Sequence, residues 1–402
     1  MGMNELAIHG GTPVRDKFIV YGSPDIGEDE INEVVDCLRT GWLSTGPKVV
    51  RFENDIKSYT GAAHAVATSS CTAALHLSLI VSGIGKGDEV ITTPMTFGAT
   101  VNVIEHVGAV PILADIKAGT FTIDPDEIEA RITPRTKAII PVHFAGNPCD
   151  MDAINRIAEK HGLAVIEDAA HALGTKYKNR MIGGGENLTC FSFYVTKNVA
   201  MGEGGMITTN QNDLASKMRI YGLHGMDHGA WQRYTKTDTI HYGIVYPGYK
   251  YNMQDLNAAI GIHQLKRLES FILKKRHLAG MYYDLLGNEE SLILPVRFSE
   301  DNGNRNSWHL FPVMINPETL KASREEIMRA IIEENVGVAT HYRAIFEQPY
   351  YIDKYAFSPG DYPNADFVSK RVFSIPLQTK MTERDLMDVV TALRKILTYY
   401  KK

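Results

Sequence analysis

Between residues 64 and 210, short apolar and β-branched runs alternate with stretches whose apolar positions recur at helical spacing. The runs at 63–68, 89–93, 110–115, 137–142, 163–167, 189–193 and 206–209 read as strands. Helical patterns fill several of the gaps. One covers 71–82 and stops at Gly83-Ile84-Gly85-Lys86-Gly87; another covers 151–161 and stops at Gly162. Glycine just past a helix takes the left-handed cap position at little cost. This rhythm predicts βαβ units, and so an α/β fold with a mostly parallel seven-stranded sheet between helices. The ligand of such a sheet belongs at the carboxyl ends of its strands. Residues 69–72, Phe97, residues 168–171 and Lys197 all follow strands.

The pattern changes at 221–251, which is rich in Gly, His, Tyr and Trp and lacks clear periodicity. A loop of that length is a functional element or disordered. Beyond it, 253–271 reads as a long helix, 292–296 and 309–315 as strands, and 324–334 and 383–399 as helices. This tail predicts a smaller α+β C-terminal domain. The expected division is an N-terminal arm over 1–25, a large domain over 26–265 and a small domain over 266–402, with the boundary near 265–273.

Composition narrows the function more than the fold. The chain has 402 residues, 42 Lys+Arg against 47 Asp+Glu, and a net charge of −5. That balance argues against a nucleic-acid partner held by a broad basic surface, and leaves room for an anionic substrate in a local pocket. Four scattered cysteines without a CxxC pair suit a reducing compartment. Nothing over residues 1–20 reads as a secretory signal, and the most apolar helical stretch is too short to span a bilayer. The expectation is a cytoplasmic protein without a membrane segment. His224, His228 and His241 lack the spacing and companions of a metal site.

Three motifs carry candidate chemistry. Ser69-Ser70-Cys71-Thr72-Ala73 puts small hydroxyl residues at a strand-to-helix switch, where free N–H groups can hold a phosphate; taken alone it is an ordinary Ser/Thr N-cap. Glu167-Asp168-Ala169-Ala170-His171 closes an apolar strand, so its carboxylates need partners. A cationic ring nitrogen is one partner; a neighbouring helix or an arginine is another. Lys197, in Ser192-Phe193-Tyr194-Val195-Thr196-Lys197-Asn198, stands beyond an apolar strand beside Gly202-Glu203-Gly204-Gly205. Burial there would free its amine for Schiff-base chemistry; the plain alternative is a surface lysine after an edge strand. A phosphate cradle, a buried carboxylate and an amine at neighbouring strand ends match the phosphate, pyridine nitrogen and aldehyde of pyridoxal phosphate. Phe97 could stack on such a ring, or be simple core.

These motifs, with Ile8-His9-Gly10-Gly11-Thr12-Pro13 and Pro247-Gly248-Tyr249-Lys250-Tyr251-Asn252-Met253, make the sequence resemble the DegT-type nucleotide-sugar aminotransferases nearly end to end. Those enzymes are a branch of the fold-type I pyridoxal-phosphate enzymes. The resemblance implies that Lys197 is the cofactor lysine and Asp168 the partner of the pyridine nitrogen. It places His171 near the ring hydroxyl, Thr72, Ala73 and Ser192 at the phosphate, Cys71 among the cofactor-binding residues, and Phe97 on the ring face. Asn252 matches a residue that reaches the neighbouring subunit's cofactor, which implies a homodimer with shared active sites. His341, Tyr342 and Lys250 fall at substrate positions.

The implied activity is amino transfer from L-glutamate to a nucleotide-linked keto-sugar, a 4-keto sugar in particular, for amino-sugar and surface-polysaccharide synthesis. Residues 136–143 and 248–252 look closest to the UDP-4-amino-4-deoxy-L-arabinose aminotransferases. Two further readings are a pyridoxal-phosphate sugar dehydratase and a silent regulatory protein on the same fold. The retained Lys197 speaks against the dehydratase, and Lys197 with Asp168 against the silent protein.

Overall fold

The computed structural model describes residues 5–227, 242–297 and 300–402. Seven strands form the main sheet: β1 (His64–Thr68), β2 (Glu89–Thr92), β3 (Val110–Leu113), β4 (Thr136–Ile140), β5 (Ala164–Asp168), β8 (Leu188–Ser192) and β9 (Gly205–Thr209). A small hairpin, β6 (Lys176–Tyr177) and β7 (Arg180–Met181), lies between β5 and β8 in the chain. The main sheet runs β1-β9-β8-β5-β4-β2-β3. Only β9 is antiparallel to its neighbours. The seven strands expected from the apolar runs are all present, with ends shifted by a residue or two, and they form the mostly parallel sheet between helices that was expected.

Around the sheet stand α1 (Glu28–Thr40), α2 (Pro47–Thr60), α3 (Cys71–Val81), α4 (Gly98–His106), α5 (Pro125–Ala130), α6 (Met151–His161) and α7 (Asn212–Tyr221). The pattern over 71–82 reads as amphipathic, yet α3 is buried on nearly every face. It is wedged among β8, β9, α4 and α7. Its polar residues are satisfied inside: Ser78 donates to the Ala74 carbonyl at 2.8 Å, and His76 Nδ1 meets the Tyr251 hydroxyl at 3.1 Å.

The long helix α8 (Asp255–Leu286) has 32 residues and runs well past the expected end at 271. Its first half buries Ala258, Ile262, Leu265 and Leu268 against Phe52, Ile56 and Phe193, beside the main sheet. Its second half buries Leu278, Ala279, Tyr282 and Leu286 in a different core, with Phe311, Phe373 and Leu393. The expected domain boundary therefore falls inside one continuous helix, where the apolar stripe passes from one core to the other. The second core is built on a three-stranded antiparallel sheet of β10 (Leu292–Ile293), β11 (Phe311–Ile315) and β12 (Val372–Ile375). The helices α9 (Arg324–Glu333) and α12 (Glu383–Tyr400) complete it, whereas α10 (Pro349–Tyr355) and α11 (Pro363–Ser369) pack in a further core with Met95, Val101, Leu113 and Phe144. The segment ahead of α1 packs on this part: buried Glu334 accepts the Ala7 and Val14 N–H groups at 2.9 Å each and pairs with Lys395 at 2.8 Å.

His228 and His241 lie outside the described residues. Among the described residues, no helix is long and apolar enough to cross a membrane.

Candidate active site

Three strand ends and one helix start enclose a cavity of about 510 Å³, lined among others by Thr72, Phe97, Asp168, His171, Ser192 and Lys197. Cys71, His341 and Tyr342 belong to the same wall. β5 and β8 run parallel with Asp168 opposite Cys190, so Asp168 ends β5 at the cavity and Ser192 ends β8 two residues further along.

Ser70 caps α3, its Oγ accepting the Ala73 N–H at 3.1 Å. The first N–H groups of a helix have no partner within it. With Ala73 engaged by the cap, the Cys71 and Thr72 N–H groups are the donors a phosphate would meet, with the helix dipole behind them. Ala73 is buried and stands outside the cavity wall. The start of β9 presses on this turn: a Cβ at Gly205 would lie 2.4 Å from the Ser70 carbonyl carbon, so only glycine fits. Ser70→Ala is expected to lower stability by about 1 kcal/mol, the usual worth of an N-cap; denaturant unfolding measures it.

Asp168 is buried and tightly held. Thr100 Oγ1 donates to its Oδ2 at 2.7 Å, and the Ala170 N–H to its Oδ1 at 3.1 Å. Burial pushes its carboxyl above the ordinary value, against the pull of those bonds and of Lys197. Among the described residues no cation forms an ion pair with it. A buried acid short of a counter-charge suits a protonated ring nitrogen. Thr100, which went unrecognised in the sequence, sits on α4 one turn beyond Thr96, to whose hydroxyl it bonds at 2.8 Å. The Thr-x-x-x-Thr spacing is the signal that could have marked it.

Burial lowers the Lys197 amine to about 8, although Cys71 and Asp168 act the other way. Near physiological pH a minority of it is neutral, far more than in an exposed lysine, ready to attack an aldehyde or accept a proton. Burial, reinforced by Lys197 and His341, drives the His171 imidazole far below its usual range, so the ring is neutral. Its Nδ1 accepts the Ala145 N–H at 3.2 Å, which puts the ring proton on Nε2. Nε2 then donates to the Tyr342 hydroxyl, 3.0 Å away, and leaves the tyrosine proton free to donate in turn. His341 is lowered to about 4 by burial and by Lys197, and its Nδ1 lies 3.0 Å from Ser374 Oγ. Phe97 is 64 % exposed at the mouth and tilted against Tyr342, ring centres 6.1 Å apart.

Asn252 and Lys250 are elsewhere. Asn252 lines a separate surface cavity of about 590 Å³; its Nδ2 donates to Thr45 Oγ1 at 2.6 Å and its Oδ1 accepts from Lys250 Nζ at 2.7 Å. Within one chain, neither lines the cavity that holds Lys197.

Comparison with known proteins identifies the family. Residues 24–394 match the DegT/DnrJ/EryC1/StrS aminotransferase family. The spore coat polysaccharide biosynthesis protein SpsC of Bacillus subtilis (strain 168) is 48% identical over 384 residues, 95% of this chain and 98% of that protein. The PLP form and the PMP form of Streptococcus pneumoniae Spr1654 each align with a TM-score of 0.86 at 32% identity, covering 95% of this chain and 99% of theirs. DesI, solved in the presence of its TDP-sugar product, aligns with a TM-score of 0.86 at 30% identity, covering 99% of this chain and 97% of that one. The chain belongs to the DegT/DnrJ/EryC1/StrS family and is a pyridoxal-phosphate-dependent sugar aminotransferase.

Proposed function

We propose that this chain moves the amino group of L-glutamate onto a nucleotide-linked 4-keto sugar, with Lys197 as the cofactor lysine and Asp168 as the partner of the ring nitrogen. The observation that carries the reading is one cavity holding a depressed amine at Lys197, a buried acid at Asp168 and the open N-terminus of α3. Bound pyridoxal phosphate supplies an aldehyde that takes up an amino group and a ring that withdraws electrons from the adjacent carbon.

The chain's own residues do the rest. The Cys71 and Thr72 N–H groups and the Ser192 hydroxyl bind the phosphate. Asp168, held by Thr100, keeps a proton on the ring nitrogen. Tyr342, positioned by His171, donates to the ring hydroxyl, while Phe97 covers the ring face. Lys197 Nζ takes the proton from the α-carbon of the donor and later returns a proton to the sugar carbon that receives the amine. His341, at the wall beside Lys197, meets the sugar. Two reactants that use one site in turn give ping-pong kinetics.

The likeness to SpsC supports a role in surface-polysaccharide synthesis, and the TDP-sugar of DesI supports a nucleotide-linked substrate. The four cysteines are free and buried, which suits the cytoplasm. L-Glutamate tests the reading: visible absorbance bleaches and 2-oxoglutarate appears. Persistent colour and no keto acid would rule glutamate out as donor.

We assign Asn252 and Lys250 to the site of a second copy, in a homodimer. Asn252→Ala is expected to loosen the partner's cofactor about 10-fold or more, the loss of one good polar contact. Mixed dimers of Asn252→Ala and Lys197→Ala chains decide it. A dimer that carries both substitutions on one chain keeps one site free of both under an own-chain role and none under the shared-site role.

A further inference from the structure

Behind Lys197 lies a second, smaller chamber of about 60 Å³, walled by Lys197, Asn198, Lys275, His309, His341 and Gln378 among others. Lys275 projects into it from α8 and is only 5% exposed. Its Nζ donates to Asn198 Oδ1 at 2.8 Å, and Asn198 is the residue after Lys197. Asn198 Nδ2 in turn donates to the Ser307 carbonyl at 3.0 Å, and Ser307 Oγ to the His171 carbonyl at 2.8 Å. A buried amine thus stands at the base of the segment that carries Lys197, tied through two residues to the turn that carries His171. Two buried polar atoms beside it, His309 Nδ1 and Gln378 Oε1, have no hydrogen-bond partner.

Among the described residues, no acid neutralises this amine. From the N-terminal arm, Tyr21 and Asp25 face the chamber; Tyr21 is pushed far up and uncharged, and Asp25 is committed to Arg267 at 3.0 Å. From the segment before β11, His309 is driven well below its usual range, and His341 is lowered to about 4, so both are neutral. The helix itself contributes uncharged Gln264 and Phe271. Among the described residues, Lys197 is the cation left facing Lys275.

We propose that Lys275 is a positioning residue for the transfer reaction: a second buried ammonium whose charge favours the neutral form of Lys197 and whose bond to Asn198 aims it. This rests on the reading of Lys197 as the cofactor lysine. Lys275 is itself lowered to about 8, by burial first and by Lys197 second. Coulomb repulsion is mutual, so the two amines titrate as a coupled pair. A neutral amine is what Lys197 must offer each time it attacks or takes a proton.

The test uses cofactor-free full-length protein and pyridoxal as the probe. Pyridoxal captured by lysine is fixed with borohydride, and mass spectrometry reads the label at Lys197 as a function of pH. The parent is expected to give a midpoint near 8. Lys275→Met removes charge and hydrogen bond; Lys275→Gln removes the charge and keeps a donor for Asn198. Both are expected to raise the midpoint by about one pH unit, the scale of a like-charge neighbour. Capture at pH 7 then falls about 10-fold. An unmoved midpoint in folded Lys275→Gln would overturn the role of Lys275 and leave only a structural bond. No label at Lys197 in the parent would overturn the reading of Lys197 itself, and this inference with it.

Discussion

Lys197→Ala abolishes amino transfer, with turnover down by about 10⁴-fold or more, because one change removes both the covalent anchor and the proton carrier. Neither substrate half is spared, since the same Nζ serves both. Cofactor still binds through the Cys71–Thr72 turn and Asp168, so the variant takes up free pyridoxal phosphate but yields no borohydride-stable label. Stopped-flow absorbance with L-glutamate and mass spectrometry of the reduced protein check the two statements separately. The fold survives, and the sign of the stability change follows from linkage. In the cofactor-free parent, Lys197 releases its proton near pH 8, whereas the unfolded lysine holds it to about 10.5. The unfolded chain therefore binds more protons between those values, and the parent gains stability as pH rises through the window. Below pH 8 the buried ammonium costs stability, so the alanine variant unfolds at or above the parent's temperature at pH 7. Lys275, also lowered to about 8, adds a slope of the same sign in both proteins.

Asp168→Asn has the second largest effect. The amide keeps the shape and can accept the Thr100 hydroxyl, but it carries no charge to hold a proton on the ring nitrogen. Without that proton the ring is a poor electron acceptor, and the half-reaction with glutamate slows by about 10³-fold, the order seen when an electrostatic partner of the reacting group is removed. Pre-steady-state bleaching measures this step free of sugar binding. Asp168→Glu keeps the charge but pushes the carboxylate past the Thr100 hydroxyl, and is expected to recover part of the rate. An unchanged bleaching rate in Asp168→Asn would remove Asp168 from its assigned role.

Much of this was legible in the chain. The strands are short runs rich in apolar and β-branched residues, so all seven stand out, and the residues just after them hold the chemistry. Lys197, Asp168, His171, Thr72 and Ser192 do meet around one cavity. Other features depend on distant parts of the chain. The second half of α8 went unseen because its apolar stripe serves a different core, so the pattern changed while the helix continued. The polar residues of α3 suggested an exposed face, but Ser78 and His76 find partners inside. The Ser70 side chain, three positions back, engages the Ala73 N–H, a pairing that the motif as a candidate phosphate cradle does not spell out. Thr100, Lys275 and the Tyr342–His171 bond are long-range pairings. They join residues 68, 77 and 171 positions apart, beyond the reach of any local spacing rule.

The most direct test follows the nitrogen itself. Purified protein, loaded with pyridoxal phosphate, is given L-glutamate carrying a heavy nitrogen isotope and a nucleotide-linked 4-keto sugar, and the sugar is analysed by mass spectrometry. The account predicts an amino sugar nucleotide that holds the heavy nitrogen, with one 2-oxoglutarate formed per sugar aminated and none in Lys197→Ala. A sugar that loses oxygen without gaining nitrogen, or label transfer that persists in Lys197→Ala, would contradict it.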